Sequence, residues 1–570
     1  MSGSGDNQGG RGRAGGGGSG GSQRGGSGGS GGGQRGGSGG SGGGQRGGSG
    51  GRGNGGPRDS SNRNAKGRER NRASQRSFTD SAPSQRTRRA DPARLVAFEV
   101  LRAVAAEDAY ANLVLPARIR HHGLDKRDAG FATELSYGAL RSQGTYDAIL
   151  ARCVDRPLDQ LDPAILDALR LGVHQLLAMR VPAHAALDQT VGLARAVIGA
   201  GPSALINAVL RKVAAHTIDE WLELLTGGET DETKAASLRY AHPEWIVRAM
   251  RQSLVAHGRP ATEINDLLEA DNAAPVVNLV ALPGIGNLDE ALENGATPGE
   301  LVEGSALSSG GDLGRLASVR EGSTRVQDVG SQLVARAMAA VDLTGHRGAN
   351  VAGTPRAEGA GSAEGAGRTN DGEAWLDLCA GPGGKAALLG ALASQRGATL
   401  LANEPAPHRA KLVSQALSAV PRETWQVRTG DGRDVGTEKP EAFDRVLVDV
   451  PCSGLGALRR RPESRWRRTP KDLADLGPLQ RELLTSALAA VRPGGVVAYV
   501  TCSPHPAETT AVVMDALRKR DDLELLEAGQ VLDSVSLTGN LGAGHESTAQ
   551  LWPHVHGTDA MFLALIRKKH

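Results

Sequence analysis

The sequence predicts a multidomain protein: an all-helical bundle, a small α+β subdomain, and a larger α/β domain on a doubly wound parallel sheet. Three observations carry this. Apolar residues recur at helical spacing between residues 91 and 226, and strand-like runs alternate with helical ones across residues 373–570. A glycine-rich turn and two cysteine motifs each follow a strand-like run, where an open sheet presents its ligand crevice. The chain has 570 residues, enough for several domains.

The first element is a tail, residues 1–90. Residues 1–56 are mostly Gly, Ser, Gln and Arg, and Gln-Arg recurs at 23–24, 34–35 and 45–46. That period of 11 is too short for a repeat with a core of its own. With almost no apolar side chains, the tail cannot offset the entropy cost of ordering and is expected to be disordered. It holds 16 Lys and Arg against 4 Asp and Glu; the whole chain is only +3, so the remainder is acidic. Such an arm attracts phosphate backbones without reading sequence, or else serves as a solubilising linker.

Residues 91–226 read as helices. Asp162-Pro163 supplies a cap and a first-turn proline, and Leu166, Leu169, Val173, Leu176 and Leu177 then share one face. Leu95, Phe98, Val100, Leu101 and Val104 form a second stripe, and Ile206, Val209, Leu210 and Val213 a third. Gly227–Asp231 reads as a linker. Residues 239–343 mix helices with the β-like run Val276–Leu282, as in a small α+β subdomain, and residues 344–372 read as a flexible insertion. Beyond it, strands are predicted at 375–379, 399–402, 425–427, 444–450 and 496–501, with helices at 386–393 and 476–491 among them. Met561–Ile566 is expected to add a strand at the sheet edge.

Four cysteines (153, 379, 452 and 502) without Cys-x-x-Cys spacing argue against a zinc site and against a disulfide framework. No apolar run approaches the ~18 residues that span a bilayer, and no hydrophobic signal core opens the sequence. A reducing, cytoplasmic setting without membrane or metal is expected.

The chemistry concentrates in three places. In Leu376-Asp377-Leu378-Cys379-Ala380-Gly381-Pro382-Gly383-Gly384-Lys385, glycines let the backbone approach a ligand, and the following helix offers free N–H groups. Nicotinamide enzymes use similar turns, so alone it does not choose the cofactor. Glu404, after the next strand, stands where an acid accepts ribose hydroxyls, and Asp431 where an adenine edge is held. Asp449-Val450-Pro451-Cys452-Ser453 and Thr501-Cys502-Ser503 supply two thiols and a carboxylate. Cytosine C5 is too weak a nucleophile to attack a methyl sulfonium. A thiolate added at C6 makes C5 enamine-like, the C5 proton must later leave, and a carboxyl near N3 stabilises the charge that develops. Cys153, among helical residues, is expected only to pack, and Cys379 to meet the cofactor through its backbone.

Asp-x-Pro-Cys-Ser, then Thr-Cys-Ser, behind a Cys-Ala-Gly-Pro-Gly-Gly-Lys turn, resembles the RNA cytosine-5 methyltransferases that use S-adenosylmethionine. Arg459-Arg460-Arg461-Pro462-Glu463-Ser464-Arg465-Trp466 is similar to that family's arginine-rich segment, and its composition suits RNA phosphates and base stacking. Gly201–Arg211 and Glu134–Gly138 resemble the antitermination-factor (NusB) type of RNA-binding domain. Together these features resemble the bacterial 16S ribosomal RNA methyltransferases of the RsmB (Sun/Fmu) group. The family's turn usually has alanine where Gly381 stands, a small departure.

The resemblance implies a Rossmann-like domain at 373–570 that binds S-adenosyl-L-methionine through Cys379, Ala380, Gly381, Pro382, Gly383, Gly384, Lys385, Glu404, Asp431 and Asp449. It implies Cys502 as nucleophile and Cys452 as the residue that helps release product. The implied partner is RNA, as 16S ribosomal RNA or an assembling 30S subunit, met by a monomer. A transfer RNA substrate, a nicotinamide oxidoreductase and a non-catalytic RNA-binding factor stay open as alternatives.

Overall fold

The computed structural model describes residues 90–107, 109–343 and 372–570. The readings of a disordered tail and of a flexible insertion fall almost wholly outside those residues. Helices Pro92–Ala106, Ala111–His122, Lys126–Arg141, Gln143–Cys153, Pro163–Leu177, Ala183–Val197, Ser203–Val213 and Ile218–Thr226 share one core, which includes Leu95, Phe98, Leu135, Ile149, Leu169, Ile206 and Leu210. Asp162 caps its helix as its sequence position predicts, accepting the Ala164 N–H at 2.8 Å.

Three more helices follow, Glu232–Tyr240, Glu244–Ala256 and Ile264–Asn272. Their apolar faces, with Ile246, Leu254 and Leu267, pack on Leu455, Leu458 and Trp552 of the α/β domain. A small antiparallel sheet comes next: β1 (Asn278–Ala281), β2 (Thr297–Pro298), β3 (Ser305–Leu307) and β4 (Thr324–Val326), in the order β2-β3-β1-β4. β1 lies inside the predicted run, but Val276 and Val277 stay exposed ahead of it.

The α/β domain carries β5 (Ala374–Asp377), β6 (Thr399–Glu404), β7 (Trp425–Thr429), β8 (Phe443–Asp449), β9 (Val491–Thr501), β10 (Leu523–Leu526), β11 (Gly544–His545), β12 (Thr548–Gln550) and β13 (Phe562–Lys568). Strand order runs β11-β12-β13-β9-β8-β5-β6-β7, with β10 also on β13. The pairs from β9 through β7 are parallel. The expected doubly wound sheet is therefore present, extended by antiparallel strands. The C-terminal strand is not at the edge, contrary to expectation. β13 lies between β9 on one side and β10 and β12 on the other. Phe562 to Ile566 are all buried, so the strand is covered on both faces as well as paired along both edges.

The chain runs from β5 outward through β6 to β7, then returns to β8 on the other side of β5. The switch point between β5 and β8 opens a crevice at the carboxyl ends of the strands. Among the described residues, no helix is long and apolar enough to cross a membrane.

Candidate active site

The glycine turn leaves β5 at this switch point and enters helix Gly384–Gln395. Leu378 donates to the Leu447 carbonyl and Ala380 to the Asn403 carbonyl, each at 2.9 Å, which ties the turn to its neighbouring strands. Gly383 has φ 112°, and a Cβ there would come within 2.4 Å of Ala416 Cβ. Glycine is required on both counts. At Gly381 a Cβ would lie 2.0 Å from Glu404 Oε2, so the missing side chain lets that carboxylate meet the turn.

Four consecutive strands each end in an acid. Glu404, buried at the end of β6, accepts the Ala406 N–H at 3.1 Å, and Arg409 lies 3.6 Å from its other oxygen. Asp431, just after β7, accepts from the Arg433 backbone at 2.9 Å and its guanidinium at 2.6 Å; these hydrogen bonds hold its carboxyl below the usual range. Asp449 ends β8 and accepts from Lys385 Nζ at 2.8 Å. Asp377 ends β5 fully buried, without a well-formed hydrogen bond on either oxygen. Burial pushes it up to about 7, and Asp449 adds to the shift. The sequence reading placed Asp377 inside the turn motif but gave it no role. Its orphaned carboxylate is visible only in three dimensions.

The thiols meet on the other side of Asp449. β8 and β9 are in parallel register, Asp449 beside Val500, so the loops beyond them run side by side. Cys452 Sγ lies 3.4 Å from Cys502 Sγ. The hydrogen bond from Cys452 lowers the Cys502 thiol below its ordinary value, and Lys385 assists against burial and the charges of Asp449 and Asp559. Cys452 moves the opposite way: its bond to Cys502, burial, and the charges of Cys502 and Glu508 hold it well above. Burial opposes the Lys385 proton most strongly, but Asp449, Cys502 and Asp377 together hold it above the ordinary lysine range; Nζ also donates to Ser331 Oγ at 3.2 Å. Burial and the neighbouring acids push Cys379 well above its ordinary range, and Cys153 packs in the bundle core.

Most of the arginine-rich segment is turned inward rather than toward solvent, although Arg461 is exposed. Arg465 is fully buried and donates to the carbonyls of Arg141 (3.0 Å) and Asp271 (2.8 Å) and to Asn272 Oδ1 (2.7 Å), with Ala241 O at 3.4 Å. These acceptors lie at the C-terminal ends of three helices, where carbonyls lack partners and the dipole favours a cation. Arg467 donates to Val104 O at 2.7 Å, Glu463 accepts from Ala111 N at 3.2 Å, and the Trp466 ring lies against Gly144. Arg459 and Arg460 pair with buried Asp559. The segment latches the helical region to the loop that carries Cys452.

The residues fit S-adenosylmethionine. Carboxylates at four adjacent strand ends suit ribose hydroxyls, an ammonium and a sulfonium, and neither oxygen of buried Asp377 has a well-formed hydrogen bond. A Cβ at Gly384, at the start of the helix, would meet nothing within 4 Å, which leaves the turn open to a ligand.

Comparison with known proteins agrees with this geometry. The pattern of a family described as 16S rRNA methyltransferase RsmB/F matches residues 367–567, and that of the NusB family residues 91–215. A Mycobacterium tuberculosis protein is 45% identical over 495 residues, covering 86% of this chain and all of the relative. The ribosomal RNA small subunit methyltransferase B of Erwinia tasmaniensis is 27% identical over 484 residues, covering 84% of this chain and 98% of its own. The crystal structure of PH0851 shares the fold, with a TM-score of 0.66 at 21% identity over 84% of this chain and 99% of that one.

Proposed function

This chain belongs to the RsmB/F methyltransferase family, and from that premise we propose that its substrate is a cytosine of 16S RNA in the small ribosomal subunit. It is an S-adenosylmethionine-dependent RNA cytosine-5 methyltransferase with a NusB-like helical domain. The observation that carries the residue assignment is the thiol pair, 3.4 Å apart beside the Lys385–Asp449 pair at the switch point.

Glu404 and Asp431 hold the adenosyl part of S-adenosylmethionine, while the turn from Cys379 through Ala380, Gly381, Pro382, Gly383 and Gly384 to Lys385 lies along it. When bound, S-adenosylmethionine supplies an electrophilic methyl group. Cys502, the more acidic thiol, adds to cytosine C6; the C5=C6 π electrons move toward N3, and C5 becomes nucleophilic. The proton given up by the Cys502 thiol is balanced by one taken up at N3, and the N3–H donates to Asp449, kept in place by Lys385. Once C5 is methylated, its proton passes to a water molecule, the C5–H electrons re-form the C5=C6 bond, and the Cys502–C6 bond breaks to return the Cys502 thiolate. Cys452, adjacent to Cys502, assists that elimination. A nicotinamide enzyme would leave the two thiols without a task.

Residues 91–226 serve as an RNA-binding domain and residues 239–343 as a second RNA-contacting unit. The protein acts as a monomer in the cytoplasm, where ribosomal subunits are assembled. The test is transfer of labelled methyl groups to unmodified small subunits, free 16S RNA and transfer RNA, followed by bisulfite mapping. A single modified cytosine in 16S RNA is expected; labelling of transfer RNA alone would overturn the assignment.

A further inference from the structure

Glu508 lies six residues beyond Cys502, on the turn into helix Thr510–Leu517, and is fully buried. Its Oε1 accepts the Ser453 N–H at 2.8 Å and the Gln480 side-chain amide at 3.1 Å; its Oε2 accepts the Ser453 hydroxyl at 2.5 Å. Ser453 follows Cys452 directly, and its hydroxyl oxygen lies 3.2 Å from that of Ser503, which follows Cys502. Gln480, on helix Pro470–Ala490, also donates to the Pro451 carbonyl at 2.9 Å, so the Cys452 loop is gripped on both sides of the thiol. The turn is fixed in its own right. Tyr499 donates its hydroxyl to the Glu508 carbonyl at 2.7 Å, and His257 reaches the Pro504 carbonyl at 2.9 Å.

We propose that Glu508 is the positioning residue of the thiol pair: it clamps the Cys452 loop onto the Cys502 loop and places a carboxylate on the Cys452 side of the pair. This rests on the reading of Cys502 as nucleophile. Glu508 takes three donors on its two oxygens, two of them from the residue that follows Cys452. The groups acting on Cys452 are Cys502, Glu508 and the Thr501 hydroxyl. Those acting on Cys502 are Cys452, the cations Lys385 and Arg460, and the acids Asp449 and Asp559. Cations and acids thus both act on the attacking thiol, whereas the clamp's anion acts on the other.

The experiment alkylates the free protein with iodoacetamide across pH and follows each cysteine by peptide mass spectrometry. Cys502 is expected to react first in the parent. Glu508→Gln keeps the shape but removes the charge, and should lower the Cys502-to-Cys452 rate ratio by about tenfold, one unit of relative acidity. Glu508→Asp keeps the charge and should retain most of the ratio, whereas a pure packing role would spare the isosteric Gln and impair the shorter Asp. Single-turnover methylation by Glu508→Gln should slow with unchanged KM for RNA. An unaltered alkylation ratio in folded Glu508→Gln overturns the proposal. Should that variant not fold, Ser453→Ala loosens the same clamp and is expected to lower the ratio by about threefold; no change there overturns it equally. Failure of the nucleophile reading is separately visible, as RNA trapped by Cys502→Ala in place of Cys452→Ala.

Discussion

The crevice has two rims, and they are held by different means. On the cofactor rim, the partners of Glu404 and Asp431 are Arg409 and Arg433, whose side chains are 46% and 48% exposed. On the thiol rim, Lys385 is 12% exposed, and Glu508 and Arg465 are buried outright among protein donors and acceptors. The Arg433–Asp431 pair, exposed on both sides, contributes at most about 1 kcal/mol, and buried Glu404 has only a 3.6 Å contact with a half-exposed arginine, so a ligand can replace both. Breaking a buried charge contact costs about 3–5 kcal/mol, because the remaining partner stays desolvated. One rim is built to exchange partners when the cofactor arrives. The other is built to hold two sulfur atoms at a fixed separation.

The largest effects should come from the fixed rim. Cys502→Ala removes the group that bonds to C6, so neither methylation nor a covalent RNA complex is expected. Cys452→Ala leaves addition and methyl transfer possible but blocks elimination, so protein joined to RNA should accumulate. A denaturing gel with labelled RNA distinguishes the two. A trapped band from Cys502→Ala and none from Cys452→Ala would reverse the assignment and, with it, the sense of the acidity difference between the thiols.

The two rims also differed in how well they could be read from sequence. The turn from Cys379 to Lys385 announces itself because its requirement is local: Gly383 sits at a positive φ against Ala416, and any sequence that builds the turn must show it. The cysteines are legible because thiols at successive strand ends have few other uses. Glu508 carries no such mark; an acid in a turn before a helix is ordinary until Ser453 and Gln480 fold against it. Most of the arginine segment was misread for a related reason. A guanidinium serves carbonyls at helix ends as well as it serves phosphates, and only the packing of three helices around Arg465 decides between them. Likewise the C-terminal strand read as an edge, because its pattern shows burial but not which neighbours provide it.

On the exchangeable rim, the effect should fall on affinity. Glu404→Ala removes a pair of charge-assisted hydrogen bonds to the cofactor ribose, a loss of roughly 1.5–3 kcal/mol, or about tenfold to a hundredfold in S-adenosylmethionine binding. Calorimetry on the folded variant reads this directly. Unchanged affinity would remove Glu404 from the cofactor rim and leave the turn alone to hold the ligand.

The smallest effect is the sharpest test of exchange. Arg433 occupies Asp431 through Nε at 3.0 Å to both oxygens and a terminal nitrogen at 2.6 Å, while it also reaches Glu482 at 3.0 Å. If the cofactor must displace it, Arg433→Ala removes a competitor, and affinity should tighten by about twofold to fivefold at low salt. The gain should shrink as salt rises, because screening already weakens the parent's exposed pair. The pH dependence has a definite sign. Arg433 holds the Asp431 carboxyl below its usual range, so the parent keeps that carboxylate ionised further into acid. Without Arg433 the group returns toward its ordinary value, so on acidification the variant should lose affinity before the parent does. Binding that weakens in Arg433→Ala at neutral pH would mean that the arginine itself helps hold the ligand, and the contrast between an exchanging rim and a fixed one would fail at that position.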